Sequence, residues 1–386
     1  MDLFLDIFEA SLNKRNETLC GDKVKVHRDE NQTIIVLSDG LGSGVKANIL
    51  ATLTSEIIIT MLAADVGIEE VMRTVIGTLP TCKVRNIAYA TFTVIKINHA
   101  DHSFTVMNFD NPSTLHFRRG KIMPTERQEV EILGRKVKMF EGQLELGDFL
   151  GAMSDGVPYA GMGVALNFGW GWDNIVKYIE DRWLANYWCA RDVVRDVIGK
   201  TRSLYRNEVG DDATFVGVFV RAKKGLMLFT GPPLDKATDG QQVERLLAFK
   251  GTKIVCGGTT ANIVADHLGD ILETDLKSLR KDVPPIGSLP GIDLLTEGIL
   301  TMSKALEYLR DAEGSPSRLP EDRNAATLLA TLLLRADHIH FLVGQQINEY
   351  YQNPLLPKSI SIRKHLVKEL ADFLIEQRKE VTVEYC

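Results

Sequence analysis

The sequence predicts an α+β fold over its first part and a smaller α/β domain after it. Up to about residue 221, strand and helix patterns are mixed in a strand-rich order, whereas beyond it strands and helices alternate. The polar stretch Arg221-Ala222-Lys223-Lys224-Gly225 lies between the two patterns. With 386 residues, the chain is long enough for two domains of ordinary size. We therefore predict one domain over residues 1–221 and another over residues 222–386.

Patterns of apolar residues predict the elements in order. In the first domain, a strand pair surrounds the turn at residues 29–32. The N-terminal segment MDLFLDIFEASLNKRNE predicts a short amphipathic helix, and its acidic residues do not suit a signal peptide. Further helices are predicted at Val45–Ala63, Ile68–Leu79 and 172–206, and strands at Ala88–Asn98, Ser103–Phe109, Thr114–Phe117, Glu129–Phe140 and Ala213–Val220.

The second domain reads as an alternating series of strands and helices. Strands are predicted at Leu226–Thr230, Thr252–Cys256, His338–Val343 and Glu380–Tyr385, and helices at Gln241–Phe249, Thr259–Leu268 and Ile292–Arg310. The longest apolar stretch, about residues 325–334, is far shorter than the ~20 residues needed to cross a bilayer. We expect no membrane-spanning segment.

Composition and charge exclude several classes of protein. Hydrophobic residues make up 45% of the chain and charged residues 25%, as in globular proteins with a sizeable core. The net charge of −6 provides no basic field for nucleic acid or an anionic membrane. Five cysteines without a CxxC pair indicate reduced thiols, no zinc ribbon and a cytoplasmic location.

Four acidic positions in the first domain indicate a site for chemistry. Ser-Asp-Gly occurs at 38–40 and again at 154–156, and Asp22 and Asp211 each lie beside a glycine and just before a strand pattern. Carboxylates and backbone carbonyls are the ligands that hard divalent cations prefer. Asp-Gly is also a common turn dipeptide, so a turn explains any one of these positions. Four such positions in one domain favour a metal site.

Two other motifs in the first domain fail their templates. The glycine-rich run from Asp39 to Lys46 lacks the Gly-Lys-Ser/Thr ending of a phosphate-binding loop and the third glycine of a dinucleotide fold. This disfavours a nucleotide-binding switch or a kinase. Cys189 and Arg195 have the spacing of cysteine phosphatases but lie inside a helical pattern without glycine between them. Neither motif predicts the function.

At its acidic motifs the chain resembles the bacterial PP2C-like (PPM) serine/threonine phosphatases of the stage II sporulation protein E type. The resemblance covers about residues 20–220, with its motifs in the family's order. They are Gly21-Asp22, the Ser-Asp-Gly-x-Gly-Ser-Gly run within Val36–Ala47, Met153–Gly156 and Gly210–Val216. The hairpin at Met107–Pro112 departs from the Asn-Ala-Gly-His type run of many members.

The resemblance implies a two-sheet β-sandwich flanked by helices, with two Mn²⁺ or Mg²⁺ ions at one end. Asp39 would bridge both ions, and the Gly40 carbonyl would bind one of them. Asp155 and Asp211 would complete the other ion's site, while Asp22 would act directly or through a metal-bound water. Asp39, Asp155 and Asp211 are thus the implied catalytic residues. A water activated by the metals would attack phosphorus without a cysteine nucleophile.

The implied function is a metal-dependent protein phosphatase that acts on phosphoserine or phosphothreonine. Its implied partner is a phosphorylated regulatory protein of the anti-anti-sigma type, and an oligomer is left open. The alternative is a pseudophosphatase, a scaffold that binds a phosphoprotein or a small ligand without turnover. All four carboxylates are present, which argues against that alternative.

The second domain offers a candidate ligand crevice with a regulatory or ligand-binding role. Gly257, Gly258, Thr259 and Thr260 follow a predicted strand and begin a predicted helix, where backbone amides favour an anion. Two more predicted strands end in glycine, at Gly231 and Gly344. Ordinary connections between strands and helices look the same, so both readings stay open.

Overall fold

The computed structural model describes residues 3–78, 81–82, 87–88, 90–125, 127–163, 165–187, 189–346, 359–377 and 379–386. Contacts between residues divide the chain into two compact units, Met1–Ala222 and Lys223–Cys386. The division lies within the polar stretch that separates the two sequence patterns.

The first unit contains strands and four helices in the described ranges. The strands are β1 (Leu3–Leu12), β2 (Asp22–Arg28), β3 (Gln32–Gly40), β4 (Thr81–Cys82), β5 (Ile87–Ala88), β6 (Ala90–Asn98), β7 (Ser103–Phe109), β8 (Leu115–Arg118), β9 (Lys121–Ile122), β10 (Gln128–Ile132), β11 (Arg135–Gln143), β12 (Asp148–Met153) and β13 (Ala213–Ala222). The helices are α1 (Gly44–Ala63), α2 (Ile68–Thr78), α3 (Trp172–Asn186) and α4 (Ala190–Leu204).

Two sheets form the body of this unit. One has the order β1-β13-β12-β8-β9 and the other the order β10-β11-β7-β6-β3-β2. On β3, Ile35 and Leu37 belong to a core that both sheets share, while Ile34 and Val36 pack with residues of α1 and α2. Helices α3 and α4 pack on the outer face of the first sheet. The predicted α+β sandwich of two sheets flanked by helices, the PP2C-like fold, is confirmed.

The prediction of an N-terminal helix is wrong, because residues 3–12 form strand β1. This strand pairs antiparallel with β13, from Leu3 opposite Ala222 to Leu12 opposite Ala213. Leu5 faces the core between the sheets, and Phe8 packs on the side of α3 and α4. Since both faces of β1 are covered, its apolar residues do not alternate with polar ones, and their spacing resembles that of a helix.

Other boundaries differ by smaller amounts. The predicted strand at 129–140 is the hairpin β10–β11, which turns at Leu133 and Gly134, both with positive φ. The predicted helix at 172–206 is divided into α3 and α4. Residue 79, the last of a predicted helix, and residue 89, within a predicted strand, lie outside the described residues.

Helix α1 is long and apolar enough, by length and composition, to cross a membrane. No other helix in the described part of the chain meets that description. Its residues Ala47, Ala51, Ile58 and Leu62 are buried, and the helix packs on β3. A helix that covers a sheet meets the same criterion, since its inner face must be apolar.

The second unit follows the predicted alternation. Its strands are β14 (Gly225–Thr230), β15 (Thr252–Cys256), β16 (Glu273–Asp275), β17 (Ile286–Ser288), β18 (Leu294–Thr296), β19 (His338–Val343) and β20 (Glu380–Tyr385). Its helices are α5 (Asp239–Ala248), α6 (Gly258–Leu268), α7 (Ile299–Asp311), α8 (Ala325–Arg335) and α9 (Ser359–Glu376). The predicted helix at Ile292–Arg310 is wrong in its first part, where buried β18 pairs with β15 before α7 begins.

The sheet of the second unit has the order β16-β17-β18-β15-β14-β19-β20. Strands β18, β15, β14, β19 and β20 are parallel. Helices α5 and α6 cover one face, whereas α7, α8 and α9 cover the other. This is the doubly wound arrangement expected when right-handed crossovers place helices on both faces of a parallel sheet.

A buried cluster of charged side chains holds the start of β12 in the first unit. Asp148 is fully buried and accepts hydrogen bonds from Arg118 Nε at 2.9 Å and from the Glu145 backbone amide at 3.0 Å. It also shares a hydrogen bond with His116 Nε2 at 3.3 Å. Burial raises the pKa of Asp148, but the bonds from His116 and Arg118 outweigh it and hold the pKa below its ordinary value.

We expect Asp148→Asn to lower the free energy of unfolding by about 3 kcal/mol at pH 7, because it leaves Arg118 without its buried partner. Glu145→Gln, which removes an exposed partner of the same arginine, should cost less than about 1 kcal/mol. The stabilisation by Asp148 is present above the ordinary carboxyl pKa of ~3.9 and is lost as pH falls through the lowered folded value. Urea unfolding at pH 7 and pH 3 measures this, and an equal deficit at both pH values contradicts it.

Candidate active site

The predicted site carboxylates lie at one rim of the sandwich. Asp22 begins β2 and stands directly opposite Asp39, which is close to the end of β3. Asp155 follows β12 and Asp211 precedes β13, and these two strands are antiparallel neighbours in the other sheet. Each sheet therefore contributes two carboxylates to the same rim. The charges of Asp22, Asp155 and Asp211 all contribute to raising the pKa of Asp39, as expected for carboxylates at one rim.

Ser154 connects the two sheets at this rim. Its hydroxyl donates to Asp22 Oδ2 at 2.7 Å and accepts from the backbone amide of Thr214 at 2.8 Å. The serine of the other Ser-Asp-Gly, Ser38, instead donates to the Thr91 carbonyl at 3.3 Å. The two tripeptides are alike in sequence, but only Ser154 orients a carboxylate of the site.

Both Ser-Asp-Gly glycines are required by close backbone contacts. A Cβ at Gly40 would collide with the backbone carbonyl of Ala47 in α1, and a Cβ at Gly156 with the backbone carbonyl of Asp212. At these two positions a side chain would push a neighbouring segment away from the rim. The glycines thus allow the chain segments that carry the carboxylates to approach one another.

The electrostatics of the site are dominated by burial and by like charges. Burial, followed by the charges of Asp22, Asp155 and Asp211, raises the pKa of Asp39 to about 9. Burial also raises the pKa of Asp22 to about 6, although the hydrogen bond from Ser154 opposes the shift. Burial, followed by the charge of Asp211, also raises the pKa of Asp155. The charge of Lys14 opposes the shift of Asp155, but this single cation does not balance the four carboxylates.

Two residues at the rim, Lys14 and Tyr205, escaped the sequence analysis. Lys14 Nζ lies 3.4 Å from Asp211 Oδ1, and the Lys14 amide donates to Asp212 Oδ1 at 2.9 Å. Tyr205 donates its hydroxyl hydrogen to the Gly156 carbonyl at 2.8 Å. Lys14 has no motif around it, and it reaches the rim only because β1 pairs with β13. That pairing was the missing signal.

The donor set fits a divalent cation. Asp22 is 4% exposed, and its Oδ1 is buried without a hydrogen-bond partner in the described structure. Asp212 Oδ2 is in the same situation. Within the described ranges, no three His, Cys, Asp or Glu side chains are grouped so that they could hold a metal ion as they stand. The fit to a cation therefore rests on the chemistry of the rim, namely the buried carboxylate oxygens of Asp22 and Asp212 that have no hydrogen-bond partner among the described residues.

Cys189 is not placed for nucleophilic chemistry. It is the N-cap residue of α4, and burial raises the pKa of its thiol to about 11. A nucleophilic cysteine needs a lowered pKa, because only the thiolate attacks. The structure thus agrees with the rejection of the cysteine phosphatase motif.

An exposed group of apolar side chains follows Asp155 along the chain. We call Tyr159, Met162, Leu166 and Phe168 the apolar rim; each is exposed, and Phe168 is 88% exposed. Their loop is ordered by its own hydrogen bonds, from the Tyr159 amide to the Asp155 carbonyl at 3.1 Å and from the Gly163 amide to the Leu166 carbonyl at 2.9 Å. The loop therefore holds apolar surface outward beside the carboxylates.

Comparison with known families identifies the family of the first unit. The family model of the stage II sporulation protein E (SpoIIE) matches residues 29–221, half of the chain. The chain belongs to the SpoIIE family of PP2C-like phosphatases. The matched stretch includes Asp39, Asp155 and Asp211, whereas Asp22 lies before it and stands opposite Asp39 in the strand pairing.

Individual relatives are more distant. The chain is 28% identical to the phosphoserine phosphatase RsbX of Bacillus subtilis (strain 168) over 102 residues, which is 26% of this chain and 47% of the relative. It thus spans about half the length of that relative. Among solved structures, it is similar to the PP2C phosphatase domain with a regulatory fragment of SpoIIE from Bacillus subtilis. That similarity has 17% identity, a TM-score of 0.49 and covers 57% of this chain and 62% of the other.

We expect Asp39→Asn to raise the thermal midpoint of the protein in excess EDTA at pH 8, by about 2–4 °C for each kcal/mol of repulsion removed. A carboxyl group with a raised folded pKa binds a proton that the unfolded chain releases, so the metal-free protein loses stability as pH rises from about 4 to 9. The variant should show a flatter pH profile.

The matched control for this measurement is Asp65→Asn, which changes a carboxylate that is 85% exposed. It should leave both the midpoint and the pH profile within about 1 °C of the wild type. If Asp39→Asn lowers the midpoint in EDTA, the carboxylates do not repel one another as described.

Proposed function

We propose that this protein is a Mn²⁺- or Mg²⁺-dependent protein phosphatase that hydrolyses phosphoserine or phosphothreonine on a regulatory protein. The observation that carries the proposal is the convergence of four strand-end carboxylates at one rim, with Asp22 Oδ1 buried and unpartnered among the described residues. Family membership supports the same reaction class. Several carboxylates gathered at one rim around a single lysine are an unstable arrangement unless bound cations balance their charge.

Two cations would be held by the residues already described. Asp39 would contact both ions, with the Gly40 carbonyl and Asp22 on one side and Asp155 and Asp211 on the other. When bound, such ions would lower the pKa of a water molecule and polarise the phosphoryl oxygens, which is the chemistry that hydrolysis of a phosphate ester needs. The chain's own contribution is to fix these oxygens through the rim's hydrogen bonds and glycine contacts.

Neighbouring groups at the rim have supporting roles in this proposal. Ser154 holds Asp22 in one orientation, because its hydroxyl is itself fixed by the Thr214 amide. Lys14 adds one positive charge beside Asp211, where it would attract a phosphate group. Tyr205 anchors the turn after Asp155 through the Gly156 carbonyl.

The proposed partner is a phosphorylated regulatory protein of the anti-anti-sigma type, in the cytoplasm. A related protein is named a phosphoserine phosphatase, which supports a phosphoserine substrate. The alternative, a pseudophosphatase that binds a phosphoprotein without turnover, is less well supported, since all four carboxylates lie at the rim. Measured turnover decides between the two.

We expect hydrolysis of p-nitrophenyl phosphate to require added Mn²⁺ or Mg²⁺ and to stop with EDTA. Asp211→Ala and Asp155→Asn should each lower turnover by at least about 100-fold, because a lost ligand weakens the metal site. Cys189→Ser should retain turnover, since its thiol is not a nucleophile in this reaction. Turnover that survives complete metal removal, or that is lost in a folded Cys189→Ser protein, rules out the proposal.

The apolar rim is the proposed contact surface for the phosphoprotein. A phosphate on a folded partner can reach the carboxylates only if the partner's surface also lies against the segments next to them, and the apolar rim begins four residues after Asp155. Exposed aromatic residues commonly supply much of the binding energy of protein interfaces. The apolar rim therefore suits a partner with apolar side chains near its phosphorylated residue.

Phe168→Ala should lower kcat/KM for a phosphoprotein substrate by about tenfold and leave p-nitrophenyl phosphate hydrolysis unchanged. The reason is that the small substrate binds at the carboxylates and does not extend to the apolar rim. Leu133→Ala, at an exposed apolar position on the β10–β11 turn, is the matched control and should change neither rate. An equal loss on both substrates would indicate a structural role for Phe168 instead.

A further inference from the structure

The second unit has a topological switch point that the phosphatase chemistry does not use. Its five parallel strands follow the spatial order β18-β15-β14-β19-β20. The chain first moves from β14 through β15 to β18 and then returns to β19 on the other side of β14. In open α/β sheets, the crevice outside the carboxyl ends of the strands at such a reversal is where ligands bind.

Glycines end the three central strands at this edge. Thr230 of β14 stands opposite Cys256 of β15 and Val343 of β19 in the sheet register. The residues that follow, Gly231, Gly257 and Gly344, are therefore neighbours along the carboxyl edge, with strands ~4.8 Å apart. Gly231 and Gly257 have positive φ values of 82° and 123°. These turns contribute no side chain of their own to the centre of the edge, where the guanidinium of Arg363 lies against Gly231.

The side chain of Arg363 lies at this edge. A Cβ at Gly231 would collide with the guanidinium of Arg363, which extends from the start of α9. Arg363 Nη1 donates to the Gly344 carbonyl at 3.0 Å. Among the residues that the structure describes, no Asp or Glu pairs with Arg363, and burial alone lowers its pKa. A partly buried guanidinium with only a carbonyl acceptor is poorly compensated.

Helix α6 begins at the neighbouring turn and lacks a carboxylate of its own. Its N-cap is Gly257, and it has no acidic residue in its first turn. Helix α7, by contrast, has Glu297 accepting from the Leu300 amide at 3.2 Å. Backbone amides at the start of a helix are not used by the helix's own hydrogen bonds, and they attract negative charge.

A buried hydroxyl faces the same turn. Thr260 is fully buried, and its Oγ1 has no hydrogen-bond partner in the described residues. This oxygen lies 3.3 Å from the Cβ position at Gly257, so it is directed at the turn. The hydroxyl of Thr230, at the last position of β14, is likewise fully buried and unpartnered among described residues. Unpartnered hydroxyls in this position are what a bound oxyanion would satisfy.

We infer that the carboxyl edge of β14, β15 and β19 is a binding site for the phosphate group of a small molecule. Arg363 supplies positive charge, the start of α6 supplies backbone amides, and Thr260 supplies a hydroxyl. The glycine turns allow the ligand to approach the backbone closely. The site belongs to the second unit alone and does not depend on the proposed phosphatase reaction.

Isothermal titration of the full-length protein in excess EDTA tests this inference, with inorganic phosphate, AMP and ATP as separate probes. EDTA removes metal-dependent binding at the carboxylates of the first unit. Arg363→Gln, which retains a donor for the Gly344 carbonyl but removes the charge, should weaken binding at least about tenfold. Arg335→Gln, at an exposed arginine that ends α8, makes the same charge change and should alter affinity less than about twofold.

Gly258→Val is a second variant that does not depend on Arg363. A Cβ at Gly258 meets no atom within 4 Å, so the fold tolerates the side chain, while the side chain covers the amides of α6. We expect it to weaken binding to the same extent as Arg363→Gln. Binding of AMP or ATP but not phosphate identifies a nucleotide, and binding of all three identifies a simple phosphate site.

Three results would overturn the inference. In the first, the wild type binds none of the three probes. In the second, Arg363→Gln and Gly258→Val, both shown to be folded by circular dichroism, bind as the wild type does. In the third, binding is lost in Asp211→Ala but kept in both second-unit variants, which would place the phosphate at the carboxylate rim instead.

Discussion

The hydrogen bond from Ser154 to Asp22 is the interaction on which the site depends most. It is the point where the segment after β12, in one sheet, fixes the carboxylate at the start of β2, in the other. The shared apolar core sets the spacing of the sheets but does not specify which carboxylate oxygen faces inward. This single hydroxyl does so, because its own orientation is set by a backbone amide from β13. Core packing and site geometry are therefore coupled at one side chain.

Holding like charges together lowers the stability of the rim, and the surrounding structure offsets this. Gly40 allows the end of β3 to lie against the backbone of α1, and Gly156 allows the segment after β12 to lie against the backbone of Asp212, which leaves little room for the carboxylates to separate. Long strand pairings on both sides keep the segments in place. Such strain is typical of sites that are completed by a ligand, because a bound ligand removes the repulsion between the carboxylates that the fold brings together.

Much of this arrangement could be predicted from the sequence, and the reasons for the failures are physical. Asp39, Asp155 and Asp211 occur in short motifs whose glycines are required locally, so the motifs are visible in the chain. Lys14 and the orientation role of Ser154 depend on contacts between residues some 130 to 200 positions apart. Local patterns contain no information on such contacts. Strand β1 was mistaken for a helix for the same reason, since its partner β13 lies 200 residues away.

The pairing of β1 with β13 also determines which end of the first unit is suitable for attachment to a solid support. Leu12 is at the same end of the sheet as the carboxylates, whereas Leu3 stands opposite Ala222 at the far end. At ~3.3 Å per residue, the ten-residue strand separates the two ends by ~30 Å. A linker attached before Leu3 would leave the rim facing away from a solid support. Surface immobilisation through that end should therefore keep the carboxylates accessible to macromolecules in solution.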